Sequence, residues 1–143
     1  MKNLFFLLLI SLGCLLENTA QVFINEYSAA NYDTYADNYG EYEDWIELYN
    51  NSSAPVDVSG WYLTDKPGNP TKWMIPSSFI IPANGVSIIY CPGRDEITGA
   101  NAHSNFKITQ TKGNEVLMLS DLAGVFQDSI RVLPNQNSHT RGR

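Results

Sequence analysis

Cysteine is nearly absent from this 143-residue chain: Cys14 lies in an apolar start and Cys91 stands alone in the body. Once that start is removed no intramolecular disulfide can form, so stability must come from a core. Cys91 itself reads as a small apolar filler at a strand end. Zinc is disfavoured, because one cysteine and two distant histidines, His103 and His139, make no ligand set. Both histidines stand in polar, loop-like surroundings. Basic residues are missing from Val22 to Asp65, where nine acids (Glu26, Asp33, Asp37, Glu41, Glu43, Asp44, Glu47, Asp57 and Asp65) occur without a Lys or Arg. With a net charge of −6, such a body repels a nucleic-acid backbone, and nucleic acid is not an expected partner. Helical periodicity is almost wholly lacking. No G-x-S-x-G elbow and no glycine-rich phosphate loop with a following Lys is found, which argues against serine-hydrolase chemistry and nucleotide use.

What is present at the start reads as an export signal. Lys2 precedes an apolar run from Leu4 to Ile10 that resumes at Leu12 and ends near Glu17 to Thr19, with cleavage expected after Ala20. Residues 1–20 are thus expected to be a signal peptide and residues 21–143 one domain, exported to the medium or the cell surface. A membrane anchor competes with this, but Ser11 and Gly13 interrupt a run short of the roughly 20 apolar residues that span a bilayer. A second competitor is lipidation, since Ser11-Leu12-Gly13-Cys14 resembles a lipobox.

The remaining chain, about 120 residues, is large enough to bury a core without staples. Short alternating or apolar runs separated by Pro, Gly, Asn and Asp predict an all-β fold. Nine strands are expected: Val22 to Tyr27, Asp44 to Asn50, Val56 to Val58, Trp61 to Thr64, Trp73 to Ile75, Ser78 to Ile81, Val86 to Tyr90, Glu115 to Ser120 and Val125 to Val132. So many strands in so short a chain favour two sheets packed face to face, a β-sandwich. Its core is expected to contain Phe23, Ile46, Leu48, Val56, Val58, Trp61, Leu63, Ile75, Ile81, Ile88, Leu117, Leu119 and Ile130. Within Asp44 to Asn50, Ile46 and Leu48 point one way and Trp45, Glu47 and Tyr49 the other. Two loops break the pattern, Ala29 to Glu43 and the Gly- and Asn-rich Pro92 to Asn105, and loops of such length are often functional.

The segments INEY at Ile24 to Tyr27, GEYEDWIELYN at Gly40 to Asn50 and VDVSGWYLTD at Val56 to Asp65, followed by NPTKW, IPANG, NFKI and GNEVLMLSD, resemble the lamin tail domain as it occurs in bacterial exported proteins. The resemblance implies an immunoglobulin-like β-sandwich. It further implies a non-catalytic binding, adhesion or anchoring module, often joined to an exported hydrolase or nuclease. Family members commonly run on past a segment like Ser138 to Arg143 into a further strand. The domain is therefore expected to be truncated at its C-terminal end, with a fused enzyme domain missing from this chain.

Candidate sites concentrate in the first loop. Tyr32, Tyr35, Tyr39 and Tyr42 offer rings on which sugars stack, with neighbouring Asn and carboxylates to accept hydroxyl hydrogen bonds; pinning the loop to the sandwich is their structural alternative. A surface glycan or an unidentified protein is the expected partner, and no cofactor is expected. Calcium is the one ionic possibility, because Asp33, Asp37, Asn38, Glu41 and Asp44 supply oxygens, although not at EF-hand spacing. Glu41, Glu43 and Asp44 could in principle act as an acid and base pair, but the adjacent side chains of Glu43 and Asp44 diverge.

Overall fold

The computed structural model describes residues 21–98 and 101–143, so the signal-peptide and Cys14 readings fall outside the described residues. Its strands are β1 (Val22–Ser28), β2 (Trp45–Asn50), β3 (Val56–Asp57), β4 (Tyr62–Thr64), β5 (Trp73–Met74), β6 (Ile80–Ile81), β7 (Val86–Tyr90), β8 (Glu96–Thr98), β9 (Asn101–His103), β10 (Val116–Ser120), β11 (Phe126–Arg131) and β12 (Arg141–Gly142). All nine expected strands are found in their places. The additional ones are β8, β9 and β12, and the first two turn the expected loop Pro92 to Asn105 into a hairpin. Three-residue strands rich in polar side chains carry too little alternation to be seen in sequence.

A six-stranded sheet in the order β12-β1-β2-β7-β9-β8 and a four-stranded sheet in the order β11-β10-β4-β5 form an immunoglobulin-like sandwich, beside a two-stranded β3-β6 ribbon. Every pairing is antiparallel except that of β7 with β9. Ile46 and Leu48 of β2 are completely buried in the core, as their alternation requires, alongside Leu63, Ile75, Ile81, Ile89, Leu117 and Leu119. Trp45 departs from the expected pattern. It lies on the opposite face of β2 yet is also buried, because the loop before β2 covers it.

Phe23 does not belong to the core. Val22 and Ile24 point inward instead, and Phe23 packs its ring edge-on against Tyr49 on the outer face at 5.3 Å. A bulge between Ile24 and Glu26 then resets the alternation, so that Tyr27 also points inward. Ile88 is likewise only half-buried, one position out of phase with Ile89, while Val56, Trp61 and Ile130 flank the core. Cys91 is a free, fully buried thiol, and burial pushes its pKa well up, as befits an inert filler.

One sheet edge is closed off. Val132 N–H bonds back to Glu115, so the carbonyls of Ser129 and Arg131 face away from β10. They accept hydrogen bonds from Arg143 and from the Tyr27 hydroxyl at 3.1 and 3.3 Å. Ile24 N–H reaches the Asp128 carboxylate across the same seam at 2.8 Å. These contacts blunt the β11 edge, which would otherwise be a template for pairing with another chain.

Candidate functional site

The register of the six-stranded sheet sets Ser28, Trp45, Tyr90, His103 and Glu96 side by side in one row. The loop between β1 and β2, residues 29–44, folds over this row. Its two ends are tied by Asn31, whose Nδ2 donates to the carbonyls of Tyr35 and Glu43 at 2.8 and 2.9 Å, while its Oδ1 accepts from Thr34 N–H. A short polar side chain that bonds to nearby backbone in this way is the natural organiser of a compact loop.

Asp37 is the loop's second anchor. Its Oδ1 accepts from the backbone N–H groups of Tyr39 and Glu41 at 2.8 and 3.0 Å, around a turn completed by Gly40 at φ +76°. Its Oδ2 lies 3.1 Å from both Arg94 Nη1 and His103 Nε2. A carboxylate only accepts hydrogen bonds, so Nε2 of His103 carries the hydrogen in this contact. Arg94 is shared further with Glu41 and Glu43, and its guanidinium lies over the Tyr39 ring at 5.1 Å from the centroid. Tyr90 donates from its hydroxyl to Ala36 carbonyl at 2.9 Å and stacks on His103. The seam is not fully satisfied, since Trp45 Nε1 and His103 Nδ1 are buried without hydrogen-bond partners among the described residues.

The four candidate tyrosines all sit on this loop and stay substantially exposed, at 64% for Tyr32, 46% for Tyr35, 52% for Tyr39 and 48% for Tyr42. Two of them also brace it: Tyr35 meets Trp45 edge-on at 5.3 Å, and Tyr39 lies against His103 and Arg94. Tyr39, Glu41, Arg94 and Glu96 line a shallow depression of about 360 Å³. The oxygen donors considered for calcium are not gathered in this way. Asp33 and Asn38 are exposed, Asp37 and Glu41 face Arg94, and Asp44 approaches Asn31 N–H. Among the described residues no three of His, Cys, Asp and Glu are grouped to hold a metal ion.

Asp44 is a perturbed acid: burial pushes its pKa up to about 6 against the pull of the Asn31 N–H, with Glu43 adding to the rise. Glu41 and Glu43 are both committed to Arg94 and form no pair with it. His103 is a corrected expectation, because it is a fully buried residue of β9 and not a loop residue. His103, Arg94, Tyr90 and Asn31 were not foreseen in sequence. The usable signal is Arg94, the one Arg before Asp128, in a chain that is strongly acidic up to Asp65.

These features define an immunoglobulin-like sandwich with a tyrosine-rich loop fastened across one end of its larger sheet. A family model described as Lamin Tail Domain matches residues 17–133, and the chain belongs to this family. Among curated proteins nothing matches the chain. Among the described residues no helix is long and apolar enough to cross a membrane.

Proposed function

We propose that this lamin-tail sandwich is a non-catalytic binding or anchoring module of a bacterial exported protein, and that the loop bearing Tyr32, Tyr35, Tyr39 and Tyr42 is its recognition surface. One observation carries this reading. Four half-exposed aromatic rings are displayed by a loop that hydrogen bonds of Asn31 and Asp37 tie together, which lowers the ordering entropy lost on binding. A surface glycan is the ligand class that matches them, with rings for stacking and Asp33 and Asn38 exposed to accept hydroxyl hydrogen bonds. The ion pairs that tie Glu41 and Glu43 to Arg94 favour binding over acid and base work.

The decisive experiment is retention on immobilised cell-surface polysaccharides. Tyr32 and Tyr42 make no ring contact among the described residues, so Tyr32→Ala combined with Tyr42→Ala removes two rings without loosening the loop. Retention is expected to fall at least about tenfold, the equivalent of about 1.4 kcal/mol of lost stacking. Unchanged retention removes the reading. Export is tested separately by N-terminal sequencing of the secreted protein, which should begin at Gln21; a lipidated Cys14 at the terminus would replace it with membrane tethering.

A further inference from the structure

A second surface lies where the edges of the two main sheets approach each other. β5 ends the four-stranded sheet and β8 ends the six-stranded sheet. They are stitched together by Trp73 Nε1, which donates to Asp95 Oδ1 at 2.9 Å, and by Asn105 Nδ2, which donates to Lys72 carbonyl. Asp95 holds its position in a left-handed backbone conformation, φ +57°, unusual for a residue with a side chain. Above this stitch runs a groove of about 290 Å³ lined by Trp73, Met74, Pro76, Asp95, Glu96 and Ile97.

Three features of the groove point to one kind of occupant. Its walls are apolar, with Met74 58% and Ile97 55% exposed on either side. Its β5 edge is open: Ile75 N–H bonds to Trp61 and Ile75 carbonyl accepts from Gly60, so alternation turns the N–H and carbonyl of Met74 outward, where neither has a partner among the described residues. Finally, Glu96 Oε1 is buried with no hydrogen-bond partner among the described residues. The surrounding charge is acidic: Asp37, Glu41 and Glu43 outnumber the single Arg94 they share, Asp95 and Glu96 line the groove itself, and the Lys72 ammonium is turned to Asp65.

We infer that this groove takes an extended, lysine- or arginine-bearing peptide segment that adds as a strand to β5. The backbone of the segment bonds to Met74, an apolar residue seats between Met74 and Ile97, and a cationic side chain supplies the missing donor to Glu96. The contrast with β11 supports this, because the chain caps that edge with Tyr27 and Arg143 but leaves β5 bare. The surface adjoins the tyrosine loop through Glu96, which also borders the depression of Tyr39, Glu41 and Arg94, but its backbone contacts lie on β5 and stand whether or not the loop binds glycans.

The test is an amide chemical-shift titration of the full chain with an octapeptide alternating valine and lysine, and with a valine-glutamate octapeptide as control. The lysine peptide is expected to shift the amides of Met74 and Ile97 and to protect Met74 N–H from exchange. Glu96→Gln, which keeps the shape but removes the charge, should weaken binding about tenfold. Equal binding of both peptides, or no effect of E96Q, overturns the proposal. A shift of the Met74 amide with protein concentration alone assigns the edge to a second copy of the chain and overturns it as well.

Discussion

Asp37 Oδ2 lies 3.1 Å from His103 Nε2, with both side chains wholly excluded from solvent. This contact joins the middle of the tyrosine loop to a strand 66 residues away in sequence. The loop is therefore part of the folded body, although its composition is that of a solvated surface segment.

Breaking that contact should loosen the loop. In Asp37→Asn, Oδ1 still caps the turn at Tyr39 and Glu41, but an amide donor now opposes the donors of Arg94 and His103. A loss of about 2 kcal/mol is expected in urea unfolding, below the usual cost of breaking a fully buried pair because Arg94 is partly exposed. Hydrogen exchange at residues 38–41 should accelerate with it.

Asp44 predicts the pH dependence of the same region. Its folded-state pKa, about 6, lies above the ordinary 3.8, so the native state takes up the proton first as pH falls. The charged form thus costs stability above pH 6, and that cost is relieved as pH drops from about 6 to 3.8. Asp44→Asn keeps an acceptor for Asn31 N–H and removes the charge. The stability difference between this variant and the wild type should favour the variant at pH 8 and shrink towards pH 4, as read by urea midpoints.

Gly60 is required by its backbone conformation more than by space. Its φ of +79° disfavours any side chain, whereas an added Cβ 2.7 Å from Leu122 Cδ1 would meet only the tip of an exposed side chain that can turn aside. Gly60→Ala should cost about 1–2 kcal/mol, and nearly the same in a Leu122→Ala background, since the penalty lies in the backbone and Leu122 can move aside. Thermal unfolding of the four proteins of this cycle gives both numbers.

Tyr27→Phe removes the hydroxyl that accepts from Leu133 N–H at 2.8 Å and donates towards Arg131 carbonyl. The apolar ring stays in the core, so the change isolates the hydrogen bonds. A loss of about 1–2 kcal/mol is expected, with faster exchange of the Leu133 amide.

The strands that carry the sandwich were legible because each is a run of alternating or β-branched residues bounded by turn chemistry, as in β2 and β10. Phe23 was misplaced because a bulge has no residue signature; alternation counted from either side of Asn25 gives opposite answers. The site was half legible. Tyr32, Tyr35, Tyr39 and Tyr42 marked the loop, but what holds it comes from β7, β9 and Arg94, and sequence does not show that residues 31–44 and 90–103 meet. Asp37 looked like a free oxygen donor for the same reason, because its partners are distant in the chain.

The placement of β1 has a consequence for how the molecule is made. Its neighbours across the seam are Asp128, Arg131, Leu133 and Arg141 to Arg143, separated from it by more than a hundred residues. A strand that emerges first thus has to wait for the last to complete its hydrogen bonds, and contacts of such long range make for slow folding. Until then the chain stays open, and its unpaired strand edges are exposed to other chains for longer.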